Sequence, residues 1–124
     1  GVRIVISDVV AKQITDADPY GKMCRTRLLG LVRPRGMKVP LRAYELSPPT
    51  GATWLTGEWY QQQLAQWNEA VEWFIAGEWP SARERLGDLF EGDPVAQCII
   101  RHMDRTRGKR PQDWDGAFLP MPPT

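Results

Sequence analysis

Few residues in this chain are of a type suited to chemistry, and their spacing narrows the choice further. His102 is the single histidine in 124 residues. Arg101 and Arg105 lie close to it, so a surface or helix-end role is expected rather than metal binding or acid–base work. Asp8, Asp16 and Asp18 could attract a cation, but a helix start and a turn account for them equally well. Cys24 and Cys98 are isolated thiols without CxxC spacing. That argues against a zinc site or a disulfide framework and leaves a reducing cytosol as the default compartment. No glycine-rich phosphate loop, nucleophile elbow or HExxH motif occurs.

Charge is more informative. Residues 1–50 hold nine Lys/Arg against four acids, a balance of +5, and the rest of the chain carries −4. The basic part could meet an anion such as a phosphate, although solvated surface charge is the plainer reading. A second basic run, Arg101, Arg105, Arg107, Lys109 and Arg110, has no interleaved aromatics and no reading motif. Solvation of a helix end explains it, and no nucleic-acid partner is expected. Of five clustered tryptophans, Trp67 and Trp73 fall on a helical stripe with core spacing, and Trp79 follows at the turn after it. Trp54 and Trp59 fall off that stripe or at its edge and are candidates to cover another surface.

The elements that must position these residues come in two styles. Residues 2–6 alternate and are β-branched, predicting a strand. Ser7 then caps a short helix over 8–14, with Val9, Val10 and Ile14 on its apolar side. A loop at 16–21 leads to a strand over 24–33, a turn at 34–38 and a second strand over 39–46. Pro40 must sit at that strand's start or edge, because it cannot donate a ladder hydrogen bond. The Pro-rich stretch 47–51 marks a boundary between residues 1–49 and 50–124. Beyond it the period becomes 3.6: Leu64, Trp67, Val71, Phe74 and Ile75 stripe a helix over 57–76, which Gly77 ends. Pro80 opens the next helix, with Ala82, Leu86, Leu89 and Phe90 apolar and Gly92 closing it. Asp93-Pro94 caps and opens a third, with Val95, Ile99 and Met103 inward. Residues 112–124 read as an extended tail anchored by Trp114. The fold class is therefore α+β, strand–helix–hairpin followed by three helices, and residues 53–114 are expected to fold without the β part.

Two resemblances follow from these residues. Ala70, Trp73, Ala82 and Pro94 match the small, aromatic, small and proline slots of a tetratricopeptide unit around the turn Gly77-Glu78-Trp79. The helical part thus resembles one such repeat plus a following helix, and one unit must pack on something to bury both faces. The stretch from Leu29 to Leu46, LGLVRPRGMKVPLRAYEL, resembles the last hairpin of class III adenylate and guanylate cyclases, close to LGxVxVKGKxxPVxVYEL without a gap. Gly1-Val2-Arg3-Ile4-Val5-Ile6-Ser7-Asp8 is similar to that family's strand entering a helix. Phe74 to Phe90, then Gly92-Asp93-Pro94, then Pro111-Gln112-Asp113-Trp114-Asp115-Gly116 are similar to the extension after many bacterial cyclase domains. The pattern is not matched everywhere: Pro34 replaces a valine, Met37 takes the second lysine slot, and Lys38 follows one place late.

The cyclase resemblance implies a parent that converts ATP, or GTP, to the 3′,5′-cyclic nucleotide and pyrophosphate with Mg²⁺ or Mn²⁺, in a homodimer. The family's two metal-binding aspartates and its asparagine–arginine pair would precede Gly1. The chain is then expected to be a non-catalytic piece of a longer protein, which its start on Gly1 also suggests. Its partner would be the remainder of the cyclase domain, and its role structural or regulatory. Arg35, in the first lysine slot, and Lys38 are the candidate contacts to substrate phosphate. The parent is expected in the cytoplasm, with any membrane anchor upstream, since no apolar run here approaches the roughly 18 residues of a membrane helix. The competing expectation is a tetratricopeptide-like interaction module unrelated to cyclase activity.

Overall fold

A computed structural model of the chain describes residues 4–48 and 57–120. Trp54 and most of the Pro-rich boundary lie outside the described residues. The elements run β1 (Ile4–Ser7), α1 (Asp8–Ala17), β2 (Arg25–Val32), β3 (Leu41–Ser47), α2 (Gly57–Ala76), α3 (Trp79–Leu89) and α4 (Pro94–Asp104). Three antiparallel strands in the order β1-β3-β2 and four helices make an α+β arrangement.

Local chemistry explains most element ends. The Ser7 hydroxyl accepts the Val10 amide at the start of α1. The helix runs past its expected end at Ile14, and Asp18 then gathers the amides of Lys22, Met23 and Cys24 at 2.9, 2.7 and 3.0 Å to lead into β2. Those three bonds hold its carboxyl below the usual range. β3 begins just after Pro40, as the missing N–H requires. α2 occupies its expected span, and Asp93 caps α4 by accepting the Val95 and Ala96 amides. α3 stops before Gly92: the Phe90 amide bonds the Leu86 carbonyl, and the chain leaves the helix there.

One core joins the sheet to the helices. Leu28 and Leu29 of β2 belong to the same buried cluster as Trp67, Val71, Phe74, Leu86, Val95 and Ile99. Strict alternation would send two neighbouring leucines to opposite faces of β2. The ladder shifts register between Leu28 and Gly30, and both leucines join the cluster. The expected boundary at 47–51 thus falls between two parts that share a core.

Side chains of α2 also finish the outer edge of β2. The Trp67 indole donates to the Leu28 carbonyl at 2.7 Å, and the Leu28 amide donates to Asn68 Oδ1 at 2.9 Å. The Tyr60 hydroxyl accepts the Thr26 amide at 3.3 Å. Farther along, the Phe118 amide bonds the Leu31 carbonyl at 2.9 Å. That approach depends on Gly30, where a Cβ would overlap the Phe118 carbonyl.

Three apolar assignments are corrected. Val9 (64% exposed) and Val10 face outward, and Ala11 is the residue of α1 that is buried. Leu89 is 50% exposed, while Phe90 one place on turns in against Trp67. A 100° step per residue puts the two on different faces, and the core takes the aromatic.

Candidate functional site

Arg35 and Lys38 sit at the tip between β2 and β3. The Met37 amide bonds the Pro34 carbonyl at 3.1 Å, closing a four-residue turn. Gly36 occupies its third position with φ +83°, the left-handed conformation that a type II turn requires there. Arg35 therefore falls at the second position, on the outside of the bend, and it is exposed. Nothing lies within 4 Å of a Cβ built at Gly36, so the backbone at the tip is open to approach. Lys38 is exposed as well. Among the described residues neither side chain makes an ion pair or hydrogen bond. The tip thus presents two cations to solvent.

Arg33 anchors this tip, a role the sequence did not signal. Its Nη1 donates to the Lys38 carbonyl at 2.9 Å across the turn, and its Nη2 pairs with Asp115 of the tail at 3.2 Å. The Ala117 amide first, and the neighbouring Arg33 guanidinium after it, hold the Asp115 carboxyl below its ordinary range against the opposing effect of burial. The carboxylate therefore stays charged at neutral pH and available to Arg33.

A second constellation lies at the junction of sheet and helices. Arg27 of β2 donates to Glu45 of β3 at 3.2 Å and to both oxygens of Asp93 at 2.5 and 3.3 Å, and it stacks 4.3 Å from the Trp67 ring. Asp93 is the cap of α4, so one guanidinium links the hairpin, α2 and the start of α4. Arg27, Trp67 and Asp93 line a cavity of about 400 Å³ with Arg25, Tyr60 and Phe90. Arg25 is buried over Tyr60 and donates to the Gly21 carbonyl. The Arg27 guanidinium meets two carboxylates of the protein itself, which marks a structural clamp more than a ligand site.

The remaining candidates have local roles. Asp8 accepts its neighbour's amide in the first turn of α1, Asp16 pairs with Lys12 one helical turn earlier, and Asp18 shapes a turn. Among the described residues no group of three His, Cys, Asp or Glu side chains comes together to hold a metal. Cys24 and Cys98 are free thiols. His102 departs from the expected surface role: it is half-buried, stacked 4.0 Å from Phe118 and ringed by Phe74, Trp79 and Trp114. Trp73 lies under Arg85 at 4.4 Å. Trp59 is 67% exposed, in keeping with a place off the core stripe. No helix among the described residues is long and apolar enough to cross a membrane.

No protein-family model, curated protein or solved structure matches the chain.

Proposed function

We propose that the chain is the C-terminal part of a class III nucleotidyl cyclase, supplying the terminal strand–helix–hairpin and a helical module, with no catalysis of its own. The observation that carries this reading is the hairpin from Leu29 to Leu46. It follows the cyclase pattern without a gap, and its turn holds Arg35 in the first lysine slot, exposed at an open tip. In the parent, Arg35 contacts the triphosphate of ATP or GTP, and Lys38 shares the task. A guanidinium offers a planar fork where lysine offers a point charge, so bidentate contact to phosphate oxygens is favoured. Mg²⁺ or Mn²⁺ would be held by upstream residues, because phosphoryl chemistry relies on metal and positioned charge. Among the described residues no strand pairs with the outer side of β1, which suits a sheet that continues into upstream strands.

The test is steady-state kinetics on a longer chain that includes the upstream segment, with residues 1–124 alone as the silent control. Arg35→Ala should lower kcat/KM for the nucleotide roughly tenfold to a hundredfold, about 1.4–2.7 kcal/mol of lost charge interaction. Thermal stability should stay nearly unchanged, as for most exposed substitutions. Wild-type kinetics with lowered stability would make Arg35 a structural turn residue and remove the basis of the reading.

The tetratricopeptide-like reading has one observation of its own. Ala70 of α2 and Ala82 of α3 are both fully buried in the shared core, as close helix approach at small residues requires. A helical module that binds the same partner with or without any cyclase activity upstream would favour it.

A further inference from the structure

The tail after α4 is held by four unlike contacts. The Trp114 indole donates to the Ile75 carbonyl at 3.0 Å, closing over the end of α2. Asp115 pairs with Arg33, and the Phe118 amide extends the β2 edge at Leu31. The fourth contact is the stack of Phe118 on His102, with ring centroids 4.0 Å apart and planes 21° from parallel. Three of these leave each partner satisfied. The fourth does not: His102 Nδ1 is buried with no hydrogen-bond partner.

Aromatic rings pack around the His102 imidazole from three directions. Phe74 faces His102 from α2, Trp79 from α3, and Trp114 and Phe118 from the tail. The charge that reaches it is Arg105, on its own helix. A neutral imidazole tolerates this setting as a flat aromatic. An imidazolium would bury an N–H without an acceptor and face a second cation.

We infer that residues 111–120 form an acid-releasable strap, docked while His102 is neutral and freed when His102 takes up a proton. Release would uncover the β2 edge at Leu31 and remove Asp115 from Arg33, which also holds the hairpin turn through the Lys38 carbonyl. The strap therefore couples the proton on His102 to the order of the tip that carries Arg35. This inference stands on contacts within the chain and does not depend on the cyclase reading.

Burial first, and Arg105 second, hold His102 below the ordinary histidine value of 6.5. A folded-state value below the unfolded one fixes the sign: the contribution to docking is complete above about pH 6.5 and is lost as pH falls from there through the lowered value.

Hydrogen exchange of residues 1–124, read by NMR and corrected for the intrinsic effect of pH, tests this. Between about pH 7.5 and about pH 5, protection at the Phe118 amide and the Trp114 indole should fall roughly tenfold or more. Protection at Ile99 in α4 should hold. In His102→Phe the tail should stay protected at both pH values, while Asp115→Asn should weaken docking but keep its pH dependence. Unchanged or greater protection of Phe118 at low pH would overturn the inference, since stacking of the charged ring would then outweigh its burial. So would a pH-dependent loss that persists in His102→Phe. If that variant does not fold, titration of the His102 ring proton in the native chain decides, and a midpoint above about 6.5 overturns the strap.

Discussion

At one edge of the sheet, Tyr60, Trp67 and Asn68 of α2 and the backbone of Phe118 take up main-chain groups of Thr26, Leu28 and Leu31. At the other edge, β1 borders β3 alone among the described residues. Ile4 and Val5 of that strand are exposed, Ile4 at 52%, as are Val9 and Val10 of α1. The first edge is closed by long side chains that both fill the core and satisfy backbone polar groups, so each contributes twice. The second offers an open ladder and apolar side chains together, the combination that favours pairing with another strand. The contrast predicts stability from one edge of the sheet and association at the other.

Trp67→Ala should break this contrast most severely. It empties a large buried volume and leaves the Leu28 carbonyl without its indole donor, a loss of about 3–5 kcal/mol in chemical denaturation. Because Leu28 and Ile99 share one cluster, β2 and α4 should lose protection together. If α4 kept its native midpoint while β2 melted, the two parts would be separate units, divided near residues 47–51.

Arg27→Ala should cost less, about 2–3 kcal/mol, by removing the cation shared by the buried Glu45 and the part-buried Asp93. High salt should change this little, since pairs shielded from solvent are weakly screened. A loss that vanished at high salt would place the clamp at the surface and weaken the claim that it ties the hairpin to α4.

The smallest effect on stability is expected at the open edge. Val5→Lys should shift it by no more than about 0.5 kcal/mol, because Val5 is already partly exposed and lies across from Glu45. Its effect should appear in sedimentation instead. The native chain should self-associate as concentration rises, and the lysine should suppress this, as charges on edge strands do. A native chain that stays monomeric throughout would show that the β1 edge is protected in some other way.

Local signals were legible without coordinates because they act over three or four residues. Ser7 and Asp93 cap helices through their own side chains, Pro40 keeps β3 from starting earlier, and the stripe from Leu64 to Ile75 marks α2. The turn at Arg35 and Gly36 is of the same kind, which is why the exposed tip could be placed from sequence. Periodicity gave an apolar side to α1 but not its neighbour: Val9 and Val10 form that side, and what packs on the sheet is Ala11.

Everything that joins distant segments was decided by the tertiary structure. Arg27 and Asp93 are 66 positions apart, Arg33 and Asp115 are 82 apart, and no spacing rule connects either pair. The irregularity that lets Leu28 and Leu29 share a core depends on what β3 and α2 place beside them. His102 reads as a helix-end residue between two arginines until the tail folds back and stacks Phe118 on it. The sequence by itself determined where chain elements start, stop and turn, since those outcomes are settled by backbone bonds and side chains within one turn. Which apolar faces are covered, and which charges meet, depends on contacts whose gain appears only once remote segments are brought together.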